Sequence, residues 1–220
     1  ISGASTIRIG PSALGSPFPA PTGIVDLDLR VPEDASAGSA LASIDSLGSH
    51  VAELDIALPV SERLSLGIGG MISRERFIDA AHDNKYEAAL IARWQPSASL
   101  SLTPFLSLAV TPRNDIAPLY SPAGDVLPPD PPRRRFIGAR WAVRRDTELN
   151  AGLVADWAPA PGWQLKAGLF RSSVAFPTDF SNLMEDVQPD GRARQTVLAD
   201  PRLFFVSNSG EVRLTRTLGD

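Results

Sequence analysis

Six arginines fall within the thirteen positions from Arg133 to Arg145: Arg133, Arg134, Arg135, Arg140, Arg144 and Arg145, with Phe136 and Trp141 among them. A guanidinium offers a planar fork of donors that suits the paired oxygens of carboxylates, hydroxamates and catecholates, and a nearby aromatic face can stack on a flat group. Tyr120 precedes the cluster, as do the acids Asp115, Asp125 and Asp130. Tyr120, Arg140, Trp141, Arg144 and Arg145 are therefore the candidate contacts for an anionic ligand with flat, oxygen-rich groups.

Other chemistry has less material. His50 and His82 stand thirty-two residues apart, too few histidines for a triad or a metal cluster. Asp26 and Asp28 alternate along a short extended stretch and share a face, but a charged face accounts for them as well as a cation site does. The glycines from Gly3 to Gly10 are not followed by Gly-Lys-Ser/Thr, which excludes a phosphate loop. PPDPPRRR, from Pro128 to Arg135, could serve as a polyproline ligand or as a Pro-rich exposed loop. No catalytic constellation, cofactor site or metal site is expected, and the chain reads as a non-enzyme.

Composition narrows the class. A net charge of -4 and a pI near 5.2 provide no basic field, so no nucleic-acid partner is expected. Without cysteine there are no disulfides or thiolate metal sites. No run of about 18 apolar residues exists, which excludes a membrane-spanning helix but leaves membrane strands open, since these need only about 9 to 11 residues with every second one apolar. The opening ISGASTIRIG has neither the basic start nor the apolar core of a secretory leader, so a mature chain or one cut from a longer protein is expected.

The elements that must position the arginines show a period of two. Leu100, Leu102, Leu106, Leu108 and Val110 alternate with Ser99, Ser101, Thr103, Ser107 and Ala109. The same alternation predicts eight strands, over 39–46, 49–58, 63–74, 85–95, 99–111, 147–158, 163–174 and 202–218. Their polar faces carry Glu53, Asp55, Glu87, Arg93, Glu148, Asp156 and Lys166. Pro-containing corners at 59–62, 96–98 and 159–162 are short, whereas the connections at 75–84, 112–146 and 175–201 are long. Long loops on one rim and tight turns on the other predict an all-β, antiparallel transmembrane barrel segment, with Trp94, Trp157 and Trp163 in an aromatic girdle beside the turns. A soluble β-sandwich with these tryptophans in its core, of a carbohydrate-binding kind, is one alternative. A complete eight-stranded barrel acting as an adhesin or structural protein is the other.

The stretch STIRIGPSALGSPFPAPTGIVDLDLR, from Ser5 to Arg30, reads as a short strand, a Gly/Pro-rich bend and another short strand. It resembles the end of the plug domain in TonB-dependent outer-membrane receptors, V-L-R-G-P-S-A-L-L-Y-G-x-G-x-P-G-G-V-I-N-L. Gly10, Pro11, Ser12, Ala13 and Leu14 match its first half, and Pro21, Gly23, Val25 and Leu27 its second. Ile9, Thr22, Asp26 and the segment SPFPAP depart from it. WAPAPGWQLKAGLFRS from Trp157, VQPDGRA from Val187 and SGEVRLTRTLGD from Ser209 resemble barrel segments of the siderophore-receptor branch. The resemblance implies residues 1–36 as the C-terminal part of a plug, with Gly10, Pro11, Ser12 and Gly23 as its structural motif, and 37–220 as the first strands of a larger barrel. It further implies a Gram-negative outer-membrane location, contact with outer-membrane lipid and uptake of a ferric siderophore or similar metal chelate. Coupling to the TonB complex would run through plug residues upstream of this chain. For the arginine cluster, lipopolysaccharide phosphates and acids such as Glu185 and Asp186 remain alternative partners.

Overall fold

The computed structural model describes residues 2–8, 24–29, 32, 35–125, 127, 129–130 and 132–217, the first two segments as backbone. β1 (Ser2–Arg8) and β2 (Ile24–Leu29) form a two-stranded antiparallel sheet in which Ile7 lies opposite Val25. The strand, bend and strand read from the sequence is present at its two ends.

A second sheet contains eight strands: β3 (Ala37–Ile44), β4 (His50–Ser61), β5 (Leu64–Arg76), β6 (His82–Ser97), β7 (Leu100–Asp115), β9 (Val143–Trp157), β10 (Trp163–Thr178) and β13 (Leu203–Arg216). Every pairing is antiparallel, in the order β13-β10-β9-β7-β6-β5-β4-β3. These are the eight strands that the alternation predicts. β8 (Leu119–Pro122), β11 (Phe180–Val187) and β12 (Arg194–Ala199) make a third sheet that the sequence did not reveal.

The registers align the apolar positions into rows across neighbouring strands. Ile56, Ile68, Leu90, Leu106 and Ala151 form one row, and Ala52, Ile72, Tyr86, Val110 and Thr147 form another. This face is the exposed one, with Ile72 54% and Leu106 45% accessible. The opposite face buries polar groups: Ser65, Ser73, Thr103 and Thr111 are all nearly inaccessible. Pro32 lies on that polar face, against Gly67. A sheet in water would hide the leucines and expose the serines, so the burial runs opposite to that of a soluble domain. The sandwich alternative fails on this point, since among the described residues no second sheet covers the apolar face. The eight-stranded closed barrel fails too, because β3 and β13 are the two edges and do not pair with each other.

Local chemistry makes the turns. Between β3 and β4 the Asp45 carboxylate accepts the Leu47 and Ser49 amides at 2.8 and 2.9 Å, and Gly48 takes φ +90°. The backbone N–H of Ser49, followed by its hydroxyl, holds the Asp45 carboxyl below its usual range. At the β9–β10 turn Gly162 adopts φ +77°, and a Cβ there would approach the Thr217 carbonyl to 2.9 Å, so a side chain would be strained on both counts. Trp94 and Trp157 stand beside the short turns on the exposed face, and the Arg216 guanidinium sits 5.2 Å above the Trp163 ring.

Several strands run past their expected ends toward the long connections, β5 and β6 among them. The connection read as 75–84 is only 77–81, closed by the Phe77 amide on the Ala81 carbonyl at 2.9 Å. Backbone pairing continues through Arg74↔Asn84 and Arg76↔His82, where the side chains are polar and hydropathy no longer marks a strand.

Candidate ligand-binding site in the long connections

The two long connections, between β7 and β9 and between β10 and β13, do not stand apart. β8 from the first pairs in parallel with β11 from the second, with Leu183 opposite Leu119 and Met184 opposite Tyr120. β11 and β12 form an antiparallel hairpin whose tip is closed by the Gln188 amide on the Arg192 carbonyl at 2.8 Å, with Gly191 at φ +83°. Asp190 accepts both the amide and Nε of Arg192, which holds its carboxyl below the usual range.

Asn182 joins the connections. Its side chain is 1% accessible; its amide donates to the Ile116 carbonyl at 3.3 Å and its oxygen accepts from Gln195 Nε2 at 3.0 Å. Gly138 lets this happen, since a Cβ there would lie 2.9 Å from the Asn182 amide nitrogen and 2.4 Å from the Phe136 ring. Phe136, Ala142 and Val187 are also buried within these connections. The third connection joins as well: the Arg134 amide donates to the Ile78 carbonyl at 2.6 Å. Fixed loops can hold a ligand-binding surface that free loops could not.

This packing leaves an open cleft of about 390 Å³ lined by Tyr120, Asp130, Arg135, Ile137, Met184, Gly191 and Gln195, among others. It brings a phenol, a guanidinium, a carboxylate and a primary amide around an apolar floor, the usual composition of a site that orients a polar ligand. Burial raises the pKa of the Tyr120 phenol, with the Asp79 charge adding to it, so Tyr120 is a neutral hydrogen-bond donor at physiological pH.

The five predicted contacts are distributed over three places. Tyr120 is in the cleft. Arg140 and Trp141 form an exposed turn at the end of the connection; Trp141 is 67% accessible and meets the Phe180 ring edge-on at 5.4 Å. Arg144 and Arg145 belong to β9, not to the loop, and consecutive strand residues point to opposite faces. Arg144 is on the polar face, 4.6 Å above the Phe176 ring and 3.5 Å from Asp146. Arg145 is on the other face and exposed. Glu185 and Asp186 are engaged by neighbours on their own hairpin: Glu185 by the Thr196 hydroxyl and by Arg194 at 3.4 Å, and Asp186 by Arg194 at 4.0 Å. The Thr196 hydrogen bond, ahead of Arg194, keeps the Glu185 carboxyl below its usual range. The motif residues Gly10, Pro11, Ser12 and Gly23 lie outside the described residues.

Sequence reasoning passed over Asn182, Met184 and Gln195. Asp-Gly at 190–191, between FSNLMEDV and RQTVLA, is the signal that could have placed this hairpin.

No protein-family model and no curated protein matches this chain. Solved structures do. The pyoverdine outer-membrane receptor FpvA of Pseudomonas aeruginosa PAO1, bound to pyoverdine, superposes with a TM-score of 0.76 at 17% identity, over 98% of this chain and 33% of that one. The open form of the ferric-catecholate import receptor Fiu of E. coli K12 gives 0.69 at 17% identity, over 98% and 36%. The complex of FpvAI with pyocin S2 gives 0.76 at 16% identity, over 96% and 29%. The chain spans about a third of the length of these receptors, and it has the fold of the matching part: an antiparallel barrel segment with the strands preceding it.

Proposed function

We propose that this chain is part of a TonB-dependent receptor in the outer membrane of a Gram-negative bacterium, one that takes up a ferric siderophore or similar metal chelate. Residues 1–36 form the end of its plug, and 37–220 the first strands of its barrel. The observation that carries this reading is the reversed burial of the eight-stranded sheet, apolar out and polar in, on a fold shared with receptors whose names include ferric-catecholate import and pyoverdine. In water such a sheet would expose rows of leucine and isoleucine, whereas in a bilayer the same rows meet acyl chains. The polar face, with Lys85 on Glu87 at 2.7 Å and Lys166 on Asp156 at 3.6 Å, then lines a lumen occupied by the plug.

The ligand enters from the side of the long connections, where the cleft at Tyr120 and Arg135 presents donors to chelate oxygens and Trp141 presents an exposed indole. The TonB complex acts on plug residues upstream of the chain, and the role is transport, not catalysis. The test is iron-55 uptake by cells carrying the full-length protein, supplied with a ferric tris-catecholate, a ferric hydroxamate or ferric pyoverdine. Uptake of at least one chelate, abolished when the proton-motive force is dissipated, is the expected result. Absence of binding and uptake for all of them, in cells whose outer membrane contains the protein, would overturn the ligand class.

A further inference from the structure

The cleft in the long connections holds acceptors as well as donors. Asp130 lines it together with Arg135. The residue before Asp130 fixes its place: a Cβ on Gly191 would lie 3.5 Å from Pro129 Cγ, so the hairpin tip abuts Pro129. Pro129 and Pro132 also narrow the backbone on both sides of the carboxylate. The cations of the hairpin are already engaged, Arg192 by Asp190 at 2.7 Å and Arg194 by Glu185 at 3.4 Å. Neither Asp130 nor Arg135 makes an ion pair among the described residues. Gln195 donates Nε2 to Asn182 at 3.0 Å, which leaves its carbonyl oxygen to accept from a ligand. Burial first, and then the Asp79 charge, raises the pKa of the Tyr120 phenol, so a second carboxylate bears on the wall that Tyr120 forms.

A chelate that offers only anionic oxygens would satisfy Arg135 and the Tyr120 hydroxyl. It would also face Asp130 with like charge and leave the Gln195 oxygen nothing to accept, so the cleft selects against it. We infer that the chelate taken in this cleft carries a cationic nitrogen, an ammonium or guanidinium group, which sits on Asp130 while anionic oxygens of the same ligand meet Arg135. Two opposite charges in one cleft orient a dipolar arm as well as attract it, because the reversed arm meets like charge at both ends. The face of the Tyr120 ring suits a cation for the same electrostatic reason. Asp130 is thereby a specificity-determining residue. This inference rests on the chelate-receptor reading above and narrows it, from metal chelates in general to those with a cationic arm.

The experiment uses the full-length protein in detergent and four ferric chelates: a tris-hydroxamate and a tris-catecholate, each with a pendant primary ammonium and in an otherwise identical N-acetylated form. Binding is titrated by quenching of protein fluorescence at low ionic strength. Of the chelate kind that binds, the ammonium form should be preferred about tenfold. Asp130→Asn, at an exposed position, should abolish that preference by weakening the ammonium form, while the acetylated form binds as before or more tightly. Arg135→Gln should weaken both forms and keep the preference. Asp125→Asn, in an exposed acid of the same connection outside the cleft, should also keep it. A loss there equal to that of Asp130→Asn would mean a diffuse field of the loops and would overturn the site. Equal binding of the two forms by the unaltered protein, or a preference that survives Asp130→Asn, would overturn the inference and leave the chelate reading standing. Absence of binding by all four chelates would sink the chelate reading and the inference with it.

Discussion

Replacing Leu106 by Arg is the sharpest single perturbation. Leu106 lies on the exposed apolar face between Leu90 of β6 and Ala151 of β9. Along β7 the apolar positions run from Leu100, opposite Trp157 at the girdle, to Val110, opposite Tyr86. At ~3.3 Å per residue and a tilt of ~40° that run rises ~25 Å, and Leu106 stands ~15 Å above its lower end, within a few ångströms of the middle. An arginine at the midplane of a barrel's lipid face costs about 2 to 4 kcal/mol. Ser107, one residue on, faces the polar side between Ala89 and Asn150, and an arginine there should change stability by no more than about 0.5 kcal/mol. Urea titration of the full-length protein folded in lipid vesicles, followed by tryptophan fluorescence and by heat-dependent gel mobility, measures both. Equal losses for the two substitutions, or a larger one for Ser107→Arg, would refute the reasoning.

Other expectations follow from the same geometry. Gly152→Leu should prevent correct assembly, because a Cβ there would fall 2.6 Å from the Phe105 ring and 2.9 Å from the Leu169 carbonyl; the yield of heat-modifiable protein reads it out. Asn182→Leu should leave the Ile116 carbonyl and the Gln195 amide without partners, at about 1 to 3 kcal/mol, and expose the long connections to limited proteolysis while the barrel stays folded. Tyr120→Ala combined with Arg135→Ala should weaken chelate binding at least tenfold, on the order of 1.4 kcal/mol, whereas Arg145→Ala should leave it unchanged, as titrated by quenching of protein fluorescence. Equal effects of these two variants would mean that the arginine cluster acts as a general field and that the cleft has no special role.

The eight long strands were legible because a sheet with one apolar and one polar face demands opposite residues at every second position. That demand stops where the apolar rows end. Beyond Ile72 and Val110 the strands continue as SRER and TPRND, polar on both faces, and for that reason β5, β6, β7 and β9 all outrun their predicted ends toward the long connections. The same effect hid the division between Arg144 and Arg145: read as loop residues they seem to be neighbours, but as strand residues they face opposite ways. β8, β11 and β12 were missed because a short sheet in the long connections, without one long apolar face, needs no regular alternation; FSNLMEDV has Asn182 buried and Met184 lining a cleft. Asn182 looks like any polar loop residue until the Ile116 carbonyl and Gln195 are seen around it.

The central claim is that the leucine face of β7 meets lipid and its serine face meets water. The chain has no cysteine, so single cysteines can be introduced at positions 100, 101, 102, 103, 106, 107 and 108 of the full-length protein without competing thiols from this segment. Each is labelled in outer membranes with a bilayer-partitioning maleimide and with a charged, water-soluble one. Labelling should alternate, with Leu100, Leu102, Leu106 and Leu108 reached from the bilayer and Ser101, Thr103 and Ser107 reached only by the water-soluble reagent. Uniform labelling along the strand, or the opposite alternation, would contradict the account.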